Sequence, residues 1–435
     1  MLDTNTVNAY SAILREELVP AMGCTEPIAV AFAAAKAREV LSAMPDAIEV
    51  FCSANIVKNV KGVTVPNTGG LRGIDAAAIA GTISNQPEKK LEVLQPLTDE
   101  NRAKIARLLT SKYCATHLAE GIEGLYIDAR AYLKNQSGQI QQSSRVVIEK
   151  THTGITRIEK NGQVVYLTES SDRSESYISA DRHEYALLNI QDIITFAETV
   201  DLAEVSDIIR NQISMNSAIS DEGLRNDYGV SVGKTLLKYR TNDVRLRARA
   251  RAAAGSDARM AGCAMPVVIN SGSGNQGLTV SLPVIEYAKE LSKDEATLIR
   301  ALVISNLVAL EQKEYIGKLS AYCGAVSAAV GSAAAIAWLE GAQYEQISAT
   351  ITNAIATADG ILCDGAKSSC AAKIATALEA ALTGMEIGVK EEKSYQNGEG
   401  LVGADVEETI RNIGIVGSVG MRPTDAEIIK LMLKH

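Results

Sequence analysis

Gly154-Ile-Thr-Arg-Ile-Glu-Lys-Asn161-Gly162-Gln-Val-Val-Tyr-Leu167 sets two alternating apolar runs on either side of an Asn-Gly pair. Asn-Gly suits a two-residue hairpin turn, because both central residues then need a positive φ. Leu125-Tyr-Ile-Asp-Ala-Arg-Ala-Tyr-Leu133 alternates in the same way, and Val146-Val-Ile-Glu-Lys150 looks like another strand. The region from about Gly124 to Leu167 therefore reads as neighbouring strands. Outward toward the N-terminus, residues 5–19 carry Val7, Ile13, Leu14 and Leu18 on or near one helical face. A second helix starts near Pro27 and runs through Ala-rich sequence to about Ser42. Residues 48–54 and 62–65 read as strands, the latter ending at the turn-rich Pro66-Asn-Thr-Gly-Gly70, and residues 75–84 and 99–109 return to helical spacing. Toward the C-terminus, residues 168–187 are rich in Ser, Glu and Asp and read as a linker. Beyond residue 190 almost everything reads helical, broken by Gly-rich turns at 254–277, 317–324 and 359–369. The fold class is α+β. An N-terminal domain, 1–189, is mixed α/β with a small antiparallel sheet, and the domain 190–435 is all helical.

The 435 residues contain 46% apolar residues but only 4% aromatic ones, so the cores are built from Ala, Val, Leu and Ile. The formal net charge of −9 argues against a general nucleic-acid binder. The basic run Arg245-Leu-Arg247-Ala-Arg249-Ala-Arg251 lacks the aromatics of a stacking platform and reads as a solvated or interdomain surface. An odd set of seven cysteines and an N-terminus without a basic leader point to a reducing cytoplasm. Residues 320–339 carry no charge, but they are mostly Ala, Gly and Ser, too weakly hydrophobic for a membrane span, and read as a buried helix.

The cysteines hold the chemical interest. Cys323, Cys363 and Cys370 lie among Gly, Ala and Ser, which leave room for a group bulkier than a side chain. Three thiolates are one short of the four that complete an iron–sulfur cube, and an iron left open is a Lewis acid. Gly23-Cys24-Thr25-Glu26-Pro27 marks a helix start, where the dipole is expected to lower the thiol pKa. Cys24 is then a base, a nucleophile, a ligand or a structural thiol. Cys52 in a strand-like context and Cys114 in a helix-like one read as core thiols, and Gly-flanked Cys263 as structural. The four histidines show no ligand spacing, and no Cys-x-x-Cys pair occurs. Gly272-Ser-Gly274-Asn-Gln-Gly277 matches a dinucleotide fingerprint, but the sequence after it is helix-like and lacks the βαβ context, so no NAD is expected. Asn270-Ser-Gly-Ser-Gly-Asn-Gln-Gly277 reads instead as a loop gripping a small anion such as a substrate carboxylate, or as a tight interhelical turn.

Taken together, Ala21-Met-Gly-Cys-Thr-Glu-Pro27, Lys58-Asn59 with Gly62-Val-Thr-Val-Pro66, Ser256-Asp-Ala-Arg-Met260, Asn270 to Gly277, Leu319-Ser-Ala-Tyr-Cys323 and Cys363-Asp-Gly-Ala-Lys-Ser-Ser-Cys370 carry a resemblance. The chain resembles the iron–sulfur L-cysteine desulfidase (cysteine desulfhydrase) family, related to the α chain of bacterial L-serine dehydratase. The resemblance spans nearly the whole chain. It implies a 4Fe–4S cluster held by Cys323, Cys363 and Cys370, with Cys24 as proton acceptor. It also implies conversion of L-cysteine to hydrogen sulfide, pyruvate and ammonia without pyridoxal phosphate. The serine dehydratases commonly end in a cysteine tail that can reach the cluster. This chain ends Leu-Met-Leu-Lys-His435, so no cysteine from the tail is expected on the open iron.

β-Elimination needs a base for the α-proton, a grip on the carboxylate and stabilisation of the leaving group. The grip is assigned to Asn270, Ser271, Ser273, Asn275 or Gln276, with Arg259 as the ionic candidate and Lys58 and Asn59 as N-terminal contributors. The expected partner is a small amino acid, with no nucleic acid and no membrane, and Ala-rich helical faces suit a homodimer. Dehydration of L-serine or threonine is the rival within the class. A cluster-bearing sensor without turnover is a rival outside it, which would need an attached partner module, and none is evident. A metal-free binding protein is a third possibility.

Overall fold

A computed structural model of the chain describes residues 2–122, 124–168, 184–239 and 243–433. Most of the expected linker (169–183), together with His183 and His435, lies outside the described residues.

The opening motif folds as its Asn-Gly pair dictates. Strands Ile155–Lys160 and Gln163–Leu167 pair antiparallel, with Asn161 at φ 52° and Gly162 at φ 78°. They form one edge of a six-stranded sheet continuing through Ile140–Glu149, Tyr126–Lys134, Ala47–Cys52 and Cys114–Leu118. All neighbours are antiparallel except the last pair, which is parallel. The sheet is thus larger than the sequence suggested. Cys114 opens a strand rather than lying in a helix: the preceding helix, Asp99–Leu109, ends before Lys112, whose φ of 55° breaks it. Residues 62–65 form no strand. Val63 and Val65 are buried, yet Thr64 makes only an isolated bridge to Arg72. Their alternation reports burial, and no strand runs beside them to complete a ladder.

Helix Thr25–Leu41 is buried on nearly every side because it lies between the sheet and helix Gly73–Ser84. A helix enclosed this way needs no polar face, and its Ala-rich sequence supplies none. The two helices touch backbone to backbone: a Cβ on Gly81 would lie 1.9 Å from the Ala31 carbonyl oxygen. Helix Gly324–Leu339 likewise sits in the helical core, with Gly331 against the Ser305 carbonyl. Among the described residues no helix is long and apolar enough to cross a membrane. The Arg245–Arg251 run forms a seam of ion pairs between helices, with Glu379, Glu386, Glu286, Glu290 and Asp221 as its partners.

One feature was not legible in the sequence. Pro20–Met22 pairs antiparallel with Pro266–Val268, in the register Pro20 to Val268. This two-stranded ribbon joins the N-terminal segment to the helical region and sets Cys24 beside the Asn270 loop. Pro266–Val268 also precedes the Gly272 fingerprint, and among the described residues its partner is the antiparallel Pro20–Met22 alone, so the glycines do not follow a strand of a βαβ unit.

Candidate functional site

Three separated parts of the chain build the site. The first is the start of helix Thr25–Leu41. Gly23 turns the chain at φ 59°, with the Pro66 ring packed where a side chain would stand. Cys24 then takes the N-cap position, with only 2% of its surface exposed. Its thiol donates to Glu26 Oε2 at 3.1 Å, and Asn59 Nδ2 donates to Glu26 Oε1 at 2.8 Å. The Thr25 hydroxyl donates to the Gly272 carbonyl at 2.7 Å, fastening this helix start to the second part.

The expectation that the helix dipole lowers the Cys24 pKa is overturned. Burial, and then the Glu26 carboxylate, push the thiol well above its usual value. Burial also raises Glu26, but His152, the Cys24 thiol and Arg259 outweigh it and leave this carboxyl below its usual range. The resting proton therefore sits on sulfur.

The second part is the turn Asn270–Ser273. The backbones of these two residues exchange hydrogen bonds of 3.2 and 3.0 Å across Ser271 (φ 47°) and Gly272 (φ 72°). Ser273 caps helix Gly274–Glu290. The motif is a tight turn, and it presents a helix N-terminus to the cavity. Arg259, from helix Val244–Met260, lies against Gly274, where a Cβ would come within 2.3 Å of its Nε. The arginine is 2% exposed and its Nε has no hydrogen-bond partner. Among the described residues no carboxylate comes within ion-pair distance of it. Glu26, in the same cavity, feels its charge without forming an ion pair, so the guanidinium keeps hydrogen-bond donors free for a ligand.

The third part is a pair of cysteine loops joined edge to edge. Tyr322 bridges Leu362, Cys323 N donates to Ile361 O at 3.1 Å and Cys363 N donates to Ala321 O at 2.6 Å. Cys323 caps helix Gly324–Leu339, and Cys370 opens helix Cys370–Lys390.

The three parts enclose a cavity of about 100 Å³. Cys24, Asn59, Arg259, Ser273, Asn275 and Gln276 line one side, and Cys323, Cys363 and Cys370 the other. Polar atoms without hydrogen-bond partners belong to this lining: Asn59 Oδ1, Asn275 Oδ1, Gln276 Oε1 and the Tyr322 hydroxyl. These oxygens are open to water or to a polar ligand. Three residues expected in the site are not part of its lining. Lys58 is buried in an ion pair with Asp425 of helix Arg422–Leu433. Asn270 donates to Asn306, 3.0 Å to its Oδ1, and ties the turn to helix Glu295–Ile316. Ser271 occupies the turn itself.

Sequence reasoning missed Glu26, Lys313 and His152. Glu26 lay in the quoted motif beside Cys24, and its acidity was the available signal. Lys313 comes from helix Glu295–Ile316, where burial pulls its ammonium down to about 8. His152 sits in the turn between strands Ile140–Glu149 and Ile155–Lys160, buried, its ring against Gly272 and its Nε2 without a partner. Burial pulls its pKa down. No spacing rule could find it, because only the tertiary fold brings that hairpin to the turn.

The cysteine loops fit an iron–sulfur cluster. Gly324, Ala325, Gly365 and Ala366 line the cavity beside the sulfurs, with Gly324 packed on Gln276 and Gly365 on the Lys58 carbonyl. Burial and then its neighbour Cys363 push the Cys323 thiol up to about 12, and burial raises Cys370. Three such thiols ionise together when a cationic group sits among them. Among the described residues no three ligating side chains converge on a single ion. Cluster ligands bind separate irons, so their sulfurs need not meet at one point.

Fold and site together define a buried, polar-lined pocket beside a set of three thiols. Residues 88–430 match the model of the serine dehydratase alpha chain, and the chain belongs to that family, which is of the iron–sulfur dehydratase and lyase type. Similar full-length relatives carry the name UPF0597 protein. One from Lachnoclostridium phytofermentans is 51% identical over 97% of this chain and 98% of its own. One from Finegoldia magna is 45% identical over 98% and 99%, and one from Treponema denticola is 44% identical over 100% and 99%.

Proposed function

We propose that this protein is an iron–sulfur lyase that β-eliminates L-cysteine to hydrogen sulfide, pyruvate and ammonia. The observation that carries the reading is the buried Arg259, without a carboxylate partner, in the one cavity that Cys24 shares with Cys323, Cys363 and Cys370. Arg259 binds the substrate carboxylate, helped by Ser273, Asn275 and Gln276 at the N-terminus of helix Gly274–Glu290. Cys24 takes the α-proton. Asn59 holds Glu26 against the Cys24 thiol and so keeps the acceptor in place. Cys323, Cys363 and Cys370 would hold the 4Fe–4S cluster. When bound, the cluster supplies a Lewis-acidic iron free of a fourth protein ligand, suited to a departing sulfur or oxygen. The released aminoacrylate hydrolyses without further help.

The match to the serine dehydratase alpha chain favours a second reading, dehydration of L-serine or threonine by the same residues. A soft thiolate leaving group suits iron better than hydroxide, which supports cysteine. The test is anaerobic reconstitution, with iron and acid-labile sulfide quantified. Sulfide and pyruvate release from L-cysteine is then compared with pyruvate release from L-serine. Cysteine turnover well above serine turnover is expected. Serine far exceeding cysteine overturns the substrate, and a colourless protein without iron overturns the class.

A further inference from the structure

Resting on that reading, the geometry points to Glu26 as the group that takes the Cys24 proton and thereby makes the thiol a base. A thiol cannot accept a proton, so Cys24 must lose its own before it can take one from substrate. The acceptor has to be within hydrogen-bond reach and ionised while sulfur is protonated. Glu26 Oε2 meets that need: it accepts the thiol hydrogen at 3.1 Å, inside the same cavity and two residues along the same helix start. Asn59 Nδ2 fixes the other carboxylate oxygen at 2.8 Å, so the carboxylate cannot swing away. The Arg259 charge and the hydrogen bond from the Cys24 thiol both favour the ionised form of Glu26. The arrangement has the logic of a nucleophile and its base, with a third group, Asn59, orienting the base.

The step balances within the pair and the substrate. The Cys24 S–H bond breaks, its electron pair stays on sulfur, and an O–H bond forms on Glu26. Sulfur then takes the substrate α-proton. The Cα–H electron pair becomes the second bond between Cα and Cβ, and the β-substituent leaves with the pair of its own bond. The proton on Glu26 passes to the departing group, which for cysteine leaves as hydrogen sulfide. Cys24 is again a thiol and Glu26 again a carboxylate, with no oxidant or reductant consumed. Such a cycle also explains why a thiol whose pKa is raised can sit at this position: resting protonation is what the pair requires.

The experiment compares reconstituted wild type with Glu26→Gln, Glu26→Asp and Asn59→Ala, each measured with L-cysteine and L-serine, with cluster absorbance recorded alongside. Gln keeps the size and the contact to Asn59 but cannot take a proton. The expected result is a fall in kcat of about 100-fold or more for Glu26→Gln, the range that a positioned base contributes. KM should stay within about threefold, and the cluster spectrum should not change. Glu26→Asp restores part of the rate, because it restores a carboxylate on a shorter arm. Asn59→Ala, which leaves both reacting groups in place but frees the carboxylate, lowers kcat by roughly tenfold. A Glu26→Gln enzyme with normal cluster absorbance and kcat within about threefold of wild type overturns the assignment. If Glu26→Gln fails to fold or to load its cluster, Asn59→Ala decides, and an unchanged kcat there overturns it equally. A wild type that turns over neither amino acid overturns the underlying reading instead, so the two failures are distinguishable.

Discussion

Replacing Arg259 by Met tests whether the buried cation is there for substrate or for the fold. The side chain is 2% exposed, with no carboxylate within ion-pair distance among the described residues and an Nε lacking any acceptor. If it holds a substrate carboxylate, its loss removes charge-assisted hydrogen bonds that contribute about 1.5–3 kcal/mol. At about 1.4 kcal/mol per tenfold, KM should rise roughly 10- to 150-fold. The effect on the ligand-free protein should have the opposite character. A buried charge without a direct ion pair costs stability, and an apolar side chain of similar length relieves that cost, so the Tm of the variant should hold or rise. Arg259→Lys keeps the charge but loses the planar fork, and KM should fall between the two. The assay is pyruvate release across a substrate series on cluster-loaded enzyme, with thermal melts of the same samples without substrate. An unchanged KM with a Tm lowered by many degrees would mean that Arg259 supports structure alone, and would refute the reasoning.

Other outcomes follow from neighbouring residues. Gly274→Ala sets a Cβ 2.3 Å from Arg259 Nε and 2.6 Å from Val267 Cγ2, so it should raise KM by displacing the guanidinium, read in the same assay. Cys24→Ala should keep the brown colour and lose turnover, whereas Cys363→Ala should lose iron, measured by absorbance and iron analysis. A Cys24→Ala protein with full turnover would remove Cys24 from the reaction. Burial raises Asp257, which accepts from Gly233 N, to about 6 from a usual 3.8. The folded chain then keeps a proton that the unfolded chain has released, so stability falls as pH rises from about 4 to 6 and the penalty is complete above that window. Asp257→Asn removes a penalty of up to about 3 kcal/mol. Its Tm should exceed that of wild type at pH 7.5 and converge with it near pH 4, and equal melting at both would count against the buried carboxylate.

How much of this was legible in the sequence depended on how local each cause is. The hairpin at Asn161-Gly162 was readable because its turn chemistry is contained in two residues. The Ala-rich helices were readable because burial on all sides leaves a compositional trace. The helix start at Cys24 was readable for its Pro27, but the state of its thiol was not, since burial and Glu26 outweigh the helix dipole. Arg259 stood out as an ionic candidate only beside a proposed carboxylate loop. Its lack of a partner is a fact of packing. Lys58 and Asn270 were read into the site from their neighbours in the motifs, and the fold uses both for tethers instead. His152 left no trace, because a lone histidine in a strand turn is placed by the register of a whole sheet.

The ribbon of Pro20–Met22 with Pro266–Val268 has a consequence for how the protein comes into being. Its two strands lie about 250 residues apart in the chain. At synthesis rates of about 5–20 residues per second, roughly 12–50 seconds pass between the emergence of one strand and that of the other. Cys24 leaves the ribosome early and waits for Arg259 and the Asn270 turn, and the three loop cysteines arrive later still. The pocket is therefore among the last places to close, and a nascent or truncated chain presents loose thiols rather than a half-made site. A cluster held by Cys323, Cys363 and Cys370, as proposed, would have all three ligands to bind only once the chain has emerged past Cys370.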